Sequence, residues 1–185
     1  MVNSSLKHAV AVAVLAGASV GANAAVTDLG EVKFDSPTAF NGIVLGNGAG
    51  INDIFQFTLE QPNVASGYSA ANVPLTFSGG NFDTILSTIS LLSYGDDGLY
   101  GTSDDQLLAS SVAPGGDSIN LTYDQPLTGP AYINITGLTA GSEGGIYAGA
   151  IGVSPVPEPE SFAMLLAGLG LMGAVVRRRS MNKTA

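Results

Sequence analysis

The stretch INDIFQFTL, Ile51–Leu59, decides the class of fold. Side chains alternate between the two faces of a β-strand, so Ile51, Asp53, Phe55, Phe57 and Leu59 fall on one face and Asn52, Ile54, Gln56 and Thr58 on the other. The first face is apolar except for one carboxylate. Similar short runs follow at VPLTFSG, TILSTISLLSY, QLLASSV, SINLTY, AYINITGL and GGIYAGAIGV, separated by clusters of Gly, Pro, Asn and Asp. Thr, Ile, Tyr and Phe suit a half-buried pleated surface. The expected architecture is all-β, an antiparallel β-sandwich or jelly-roll-like body over residues 25–154.

Working outward from that strand, Phe82–Tyr94 (FDTILSTISLLSY) is the one place where a helix competes. Ile85, Ile89 and Leu92 fit a helical stripe, but Ile85, Ser87, Ile89 and Leu91 also alternate against Leu86, Thr88, Ser90 and Leu92. The Ser and Thr content favours the extended form, so a strand is expected. No repeat of fixed period is visible, which removes solenoids and propellers. A chain of 185 residues with 45% hydrophobic content buries one modest core.

The charge is strongly uneven along the chain. Between Ala25 and Ser154 the only Lys or Arg is Lys33, against thirteen acids, a net −12. Such a body repels phosphate backbones and anionic headgroups, so nucleic acid is excluded as its partner. His, Cys and Arg are all missing from the same span. A Ser-His-Asp or Cys-His site therefore cannot be assembled, and no guanidinium is present to clamp a phosphate. Paired carboxylates, as in glycoside hydrolysis, are the surviving enzyme chemistry. The chain also lacks Trp, whose flat ring often lines sugar clefts, so the expectation is a protein that is not an enzyme.

Both ends of the chain are apolar. Lys7 and His8 precede AVAVAVLAGASV, and Ala22-Asn23-Ala24 then offers a small-x-small cleavage site. These are the three parts of a secretory signal peptide, residues 1–24, to be removed by signal peptidase after Ala24. At the other end, PVPEPESFAMLLAGLGLMGAVVRRR runs from Pro155 to Arg179. Its fifteen uncharged residues, Phe162 to Val176, are marginal for a single short transmembrane helix, since about twenty span a bilayer core. Arg177, Arg178 and Arg179 form a membrane-stop cluster that the positive-inside rule keeps on the cytoplasmic side, with residues 180–185 as a cytoplasmic tail. Prolines 155, 157 and 159 make the preceding stretch an extended strap.

The order Pro157-Glu158-Pro159, short apolar helix, arginine cluster resembles the PEP-CTERM sorting signal of Gram-negative bacteria, here residues 155–179. That resemblance implies a secreted protein, parked transiently in the inner membrane until an exosortase removes the tail. It implies as destination the cell surface or an extracellular matrix, with exopolysaccharide or biofilm as the associated material. Ile51-x-Asp53-x-Phe55 is similar to the signature of the FxDxF group of such proteins, with Ile51 in place of the first Phe. The glycine-rich approach at Gly46–Gly50 is also similar, as is a final hairpin running through AYINITGLTAGSEGGIYAGAIGV into the tail. The group brings no catalytic residue with it.

Two acidic features need their own reading. Asp53, on the apolar face of its strand, requires hydrogen-bond donors, because an unpaired buried carboxylate costs several kcal/mol. With Lys33 the one cation in reach, backbone amides of a neighbouring loop are the expected partners. In YGDDGLYGTSDDQLL, Asp96, Asp97, Asp104 and Asp105 surround Gly95, Gly98 and Gly101. Short carboxylates in a glycine-rich turn are candidate oxygen ligands for calcium, and would make the body a calcium-dependent carbohydrate-binding module. The EF-hand order is absent. The competing reading is a solvated hairpin loop whose aspartates cap its turns, with no cofactor. The sequons at Asn120 and Asn134 lie in expected strands and are read as strand residues.

Overall fold

The computed structural model describes residues 25–155 and 164–173. The first of these spans holds eleven strands: β1 Val26–Val32, β2 Thr38–Leu45, β3 Gly50–Leu59, β4 Asn63–Asn72, β5 Leu75–Phe77, β6 Gly80–Phe82, β7 Thr84–Ser93, β8 Gln106–Gly116, β9 Ser118–Tyr123, β10 Ala131–Thr139 and β11 Gly144–Pro155. They form two sheets. One has the order β1-β3-β10-β7-β8; the other runs β5-β6-β11-β4-β9, with β2 paired to β11 as well.

The alternation expected for Ile51–Leu59 is present. Ile51, Asp53, Phe55, Phe57 and Leu59 are all buried, while Asn52 and Thr58 are exposed. Strand β3 lies between β1 and β10, and the register places its core-facing residues in rows across the sheet. Asp53 stands opposite Ile135, itself opposite Ile89; Phe55 stands opposite Ile133, itself opposite Leu91. The four aliphatic side chains in these rows are wholly buried. On the other face the same strands carry a polar ladder, with Thr88 bonded to Thr136, Ser90 to Ser110 and Asn134 to Asn52. Thr84–Ser93 is a strand, as its serines and threonines argued.

The second sheet faces this core with Tyr68 and Ala70 of β4, Ile119 and Leu121 of β9, Phe40 of β2, and Tyr147 and Ile151 of β11. Aromatic pairs link the sheets: Phe40 lies 4.5 Å from Phe55 and Tyr68 lies 5.8 Å from Phe57, centroid to centroid. Such pairs add about 0.5–1.5 kcal/mol beyond their buried area.

Three expectations are corrected. The sheets are mixed, since β1 runs parallel to β3 and β6 parallel to β11. A parallel pair needs a crossover between its strands, and β2, which sits in the opposite sheet, supplies one between β1 and β3. Second, β10 and β11 do not form a hairpin: they belong to different sheets, and the turn through Ala140–Glu143 carries the chain from one to the other. Gly141 allows the close approach, because a Cβ there would collide with the backbone of Asn81 and Gly144. Third, VPLTFSG shrinks to the three exposed residues of β5. Pro74 has no amide to donate, and the turn at Ser78–Gly79 ends the strand.

In the C-terminal unit, residues 164–173 form a helix, α1, that lies inside the expected apolar segment 162–176. All ten residues are exposed, including Met164, Leu165, Leu166, Leu169, Leu171 and Met172. Among the described residues no helix is long and apolar enough to cross a membrane. The signal peptide, Pro157-Glu158-Pro159, the cluster Arg177–Arg179 and residues 180–185 all lie outside the described residues.

Candidate functional site

Asp53 and Phe55 of the family-like motif are the residues that touch the opposite sheet. Tyr147 Oη donates to Asp53 Oδ2 at 2.5 Å, and Phe55 meets Phe40. Both aromatic partners belong to the antiparallel pair β2–β11, and both lie over glycines. Tyr147 stands opposite Gly42, and Phe40 opposite Gly149. A Cβ at Gly42 would overlap the Tyr147 ring, and one at Gly149 would overlap the Phe40 ring. Ring over glycine is how a sheet admits a large aromatic without splaying its strands. The glycines that thin out β2 and β11 in the sequence are therefore what lets their two rings reach β3.

The Asp53 carboxylate is 4% exposed. Burial pushes its pKa above the ordinary value, and the Tyr147 hydroxyl and the backbone amide of Ala25 pull it back down. Tyr147 in turn is held well above the usual phenol range by burial and by the neighbouring carboxylate. The partner at hydrogen-bond distance is that tyrosine hydroxyl. Sequence reasoning missed this partner, a tyrosine ninety-four residues away. Nothing local in GGIYAGAIGV marks it as the partner, since its reach depends on the long-range pairing with Gly42.

The aspartate loop closes on itself. Asp105 accepts from the amides of Gly95, Gly101 and Thr102 and, through Oδ2, from the Tyr132 hydroxyl at 2.7 Å. Asp104 accepts from the Asp97 amide and from Thr102 Oγ1 at 2.6 Å, and its carboxylate lies where a Cβ on Gly95 would be. Asp97 caps the Leu99 amide. Burial pushes the Asp105 carboxyl up, but the Tyr132 hydroxyl and the three amides together hold it below the ordinary value. The Thr102 hydroxyl, then the Asp97 amide, lower Asp104. Tyr132 is pushed up to about 12 by burial and by Asp105.

Among the described residues no group of three or more acidic side chains is gathered as a metal site. Asp97, Asp104 and Asp105 point their oxygens at amides and hydroxyls of their own loop, which is turn-capping chemistry. Tyr94 and Tyr100 pack edge-on against Tyr132, 5.9 and 6.3 Å away. Beside Tyr94 lies a groove of about 330 Å³ lined also by Asp28, Glu31, Gln56 and Thr58.

The class defined so far is a strongly acidic, β-rich body in two mixed sheets, followed in the sequence by a proline-rich stretch, an apolar helix and a cationic end. Residues 155–179 match the family model of the PEP-CTERM protein-sorting motif. The chain thus carries that motif, at the boundaries the sequence indicated. A search of curated proteins finds no match to the chain. The motif supports export and sorting by an exosortase.

Proposed function

We propose that the chain is a non-enzymatic surface or extracellular-matrix protein of a Gram-negative bacterium, delivered as a precursor and trimmed at both ends. Residues 1–24 act as the signal peptide. The tail holds the exported chain transiently in the inner membrane, with Arg177–Arg179 inside, until an exosortase acts at Pro157-Glu158-Pro159. The body, read as a β-sandwich of the FxDxF group, then joins the cell surface or an exopolysaccharide matrix. The observation that carries this reading is the motif match at residues 155–179.

The composition of the body supports a structural role. Residues 25–154 have neither His, Cys nor Arg, and the Asp104 and Asp105 carboxylates are spent on their own loop. Tyr100, 40% exposed, beside Tyr94 and Tyr132 offers aromatic surface of the kind that neutral sugar rings pack on. Fractionating cells with and without the exosortase tests the reading. The mature body is expected outside the cell in the first case and held in the inner-membrane fraction in the second. Equal distribution in both strains would refute it.

A further inference from the structure

Asp53 is buried among aliphatic side chains, and the side-chain donor that meets it, the Tyr147 hydroxyl, is neutral. Ala25, the residue directly after Ala22-Asn23-Ala24, stands beside β3, just before β1. Ala25 is fixed there: its carbonyl accepts from the Ile54 amide at 2.7 Å, and the parallel register that follows sets Val26 opposite Ile54. The residue that begins the body is thus tied to the strand that carries Asp53, and it remains solvent-exposed. A buried carboxylate served only by neutral donors gains most from a cation.

We propose that Asp53 is the receptor for the chain's own new N-terminus: hydrolysis of the Ala24–Ala25 bond turns the Ala25 amide into an α-ammonium that pairs with the Asp53 carboxylate. Water supplies the hydroxyl that leaves with Ala24 as its carboxylic acid, and the nitrogen of Ala25 takes up protons to become the ammonium. A neutral donor with one hydrogen becomes a cation with three. Removal of the leader then locks β1 onto β3 beside Tyr147, and the precursor is the less stable form of the same fold. The inference rests on the proposed cleavage after Ala24, but the pairing can be tested apart from it.

The test uses chains running from Ala25 to Ala185 in mild detergent, with a free or an acetylated α-amine, each as wild type and as D53N. Acetylation restores the amide of the precursor. It is expected to lower the folding equilibrium constant about tenfold in the wild-type chain at pH 7, and less than about twofold in D53N. The α-amine of the wild-type chain is expected to titrate above its ordinary range of about 7.7–8.0. Equal effects of acetylation in both backgrounds would overturn the pairing. If D53N does not fold, the amine titration decides alone, and an ordinary value overturns the pairing. The D53N comparison also separates Asp53 from Asp28 and Glu31, the carboxylates of β1, while Tyr147, facing Asp53 from β11, titrates far above this range. N-terminal sequencing of exported protein that begins elsewhere than Ala25 would refute the cleavage and leave the chemistry of the pair as measured.

Discussion

The Tyr147 hydroxyl donates to the Asp53 carboxylate at 2.5 Å, joining β11 of one sheet to β3 of the other inside the core. Tyr147 is wholly buried, so neither group can turn to water instead. Replacing Tyr147 by Phe keeps the ring over Gly42 and removes only the donor. Leaving a buried acceptor short of a partner costs about 1–3 kcal/mol, more where the group is charged. Denaturant unfolding of Y147F is expected to show a loss in that range. A loss below about 0.5 kcal/mol would mean the contact is spare.

Asp53 also sets a pH dependence. Its pKa is raised above 3.8 in the folded chain, which therefore holds the proton more tightly than the unfolded one. Stability from this group is therefore complete below the unfolded value and lost as pH rises through the folded one. Subtracting the stability curve of D53N from that of the wild type, both with Ala25 acylated as in the precursor, isolates this contribution. The difference should move against the wild type above about pH 4. The opposite slope would show that the donors outweigh burial.

The glycine beneath Tyr147 is a steric requirement. Gly42→Ala puts a methyl into the ring, and overpacking of this kind costs about 1–3 kcal/mol. Gly152→Ala, in β11 with open space around its Cα, is the control and is expected to be close to neutral. Equal melting temperatures for the two variants would contradict the packing described.

In the aspartate loop, D105N weakens an acceptor shared by the Gly95, Gly101 and Thr102 amides and the Tyr132 hydroxyl. Hydrogen exchange at these amides should accelerate about tenfold, the equivalent of one lost charge-assisted bond. Because Asp105 is held below 3.8, its contribution is present above the unfolded value and disappears as pH falls through the folded one. Loop protection should therefore survive at pH 5 and fail only in stronger acid. Millimolar calcium is expected to leave it unchanged, since the Asp97, Asp104 and Asp105 carboxylates already accept from amides and hydroxyls.

Strand content and the faces of β3 were legible because its side chains obey a period of two over nine residues. In β7 the alternation slips between Leu86 and Thr88, where the register shifts, so Leu86 is buried with Ile89 and Leu91 while Ile85 is exposed. Strands β2 and β4 were not legible. NVASGYSAAN is built mostly from Ala, Gly, Asn and Ser, residues with little β-propensity, and TAFNGIVL breaks its apolar residues with Ala39, Asn41 and Gly42; both hold their places through the partners Phe40 and Tyr68 find across the core. The need of Asp53 for donors could be deduced from one strand. Tyr147 could not, because its reach depends on Gly42, a long-range pairing that local pattern does not encode. In the loop, four aspartates among glycines suit calcium and turn capping equally by composition, and the amides and hydroxyls that Asp97, Asp104 and Asp105 accept from are not encoded in that composition. The tail was the most legible part, since its signal is linear and needs no fold.

The sorting account is tested most directly by the intact mass of the protein recovered from producing cells with and without the exosortase. The account predicts a chain that starts at Ala25 in both, that lacks Phe162–Arg179 where the exosortase is present and keeps it where the enzyme is missing or Pro157-Glu158-Pro159 is changed to alanines. A chain of unaltered mass, Met1 to Ala185, in cells that contain the exosortase would contradict it.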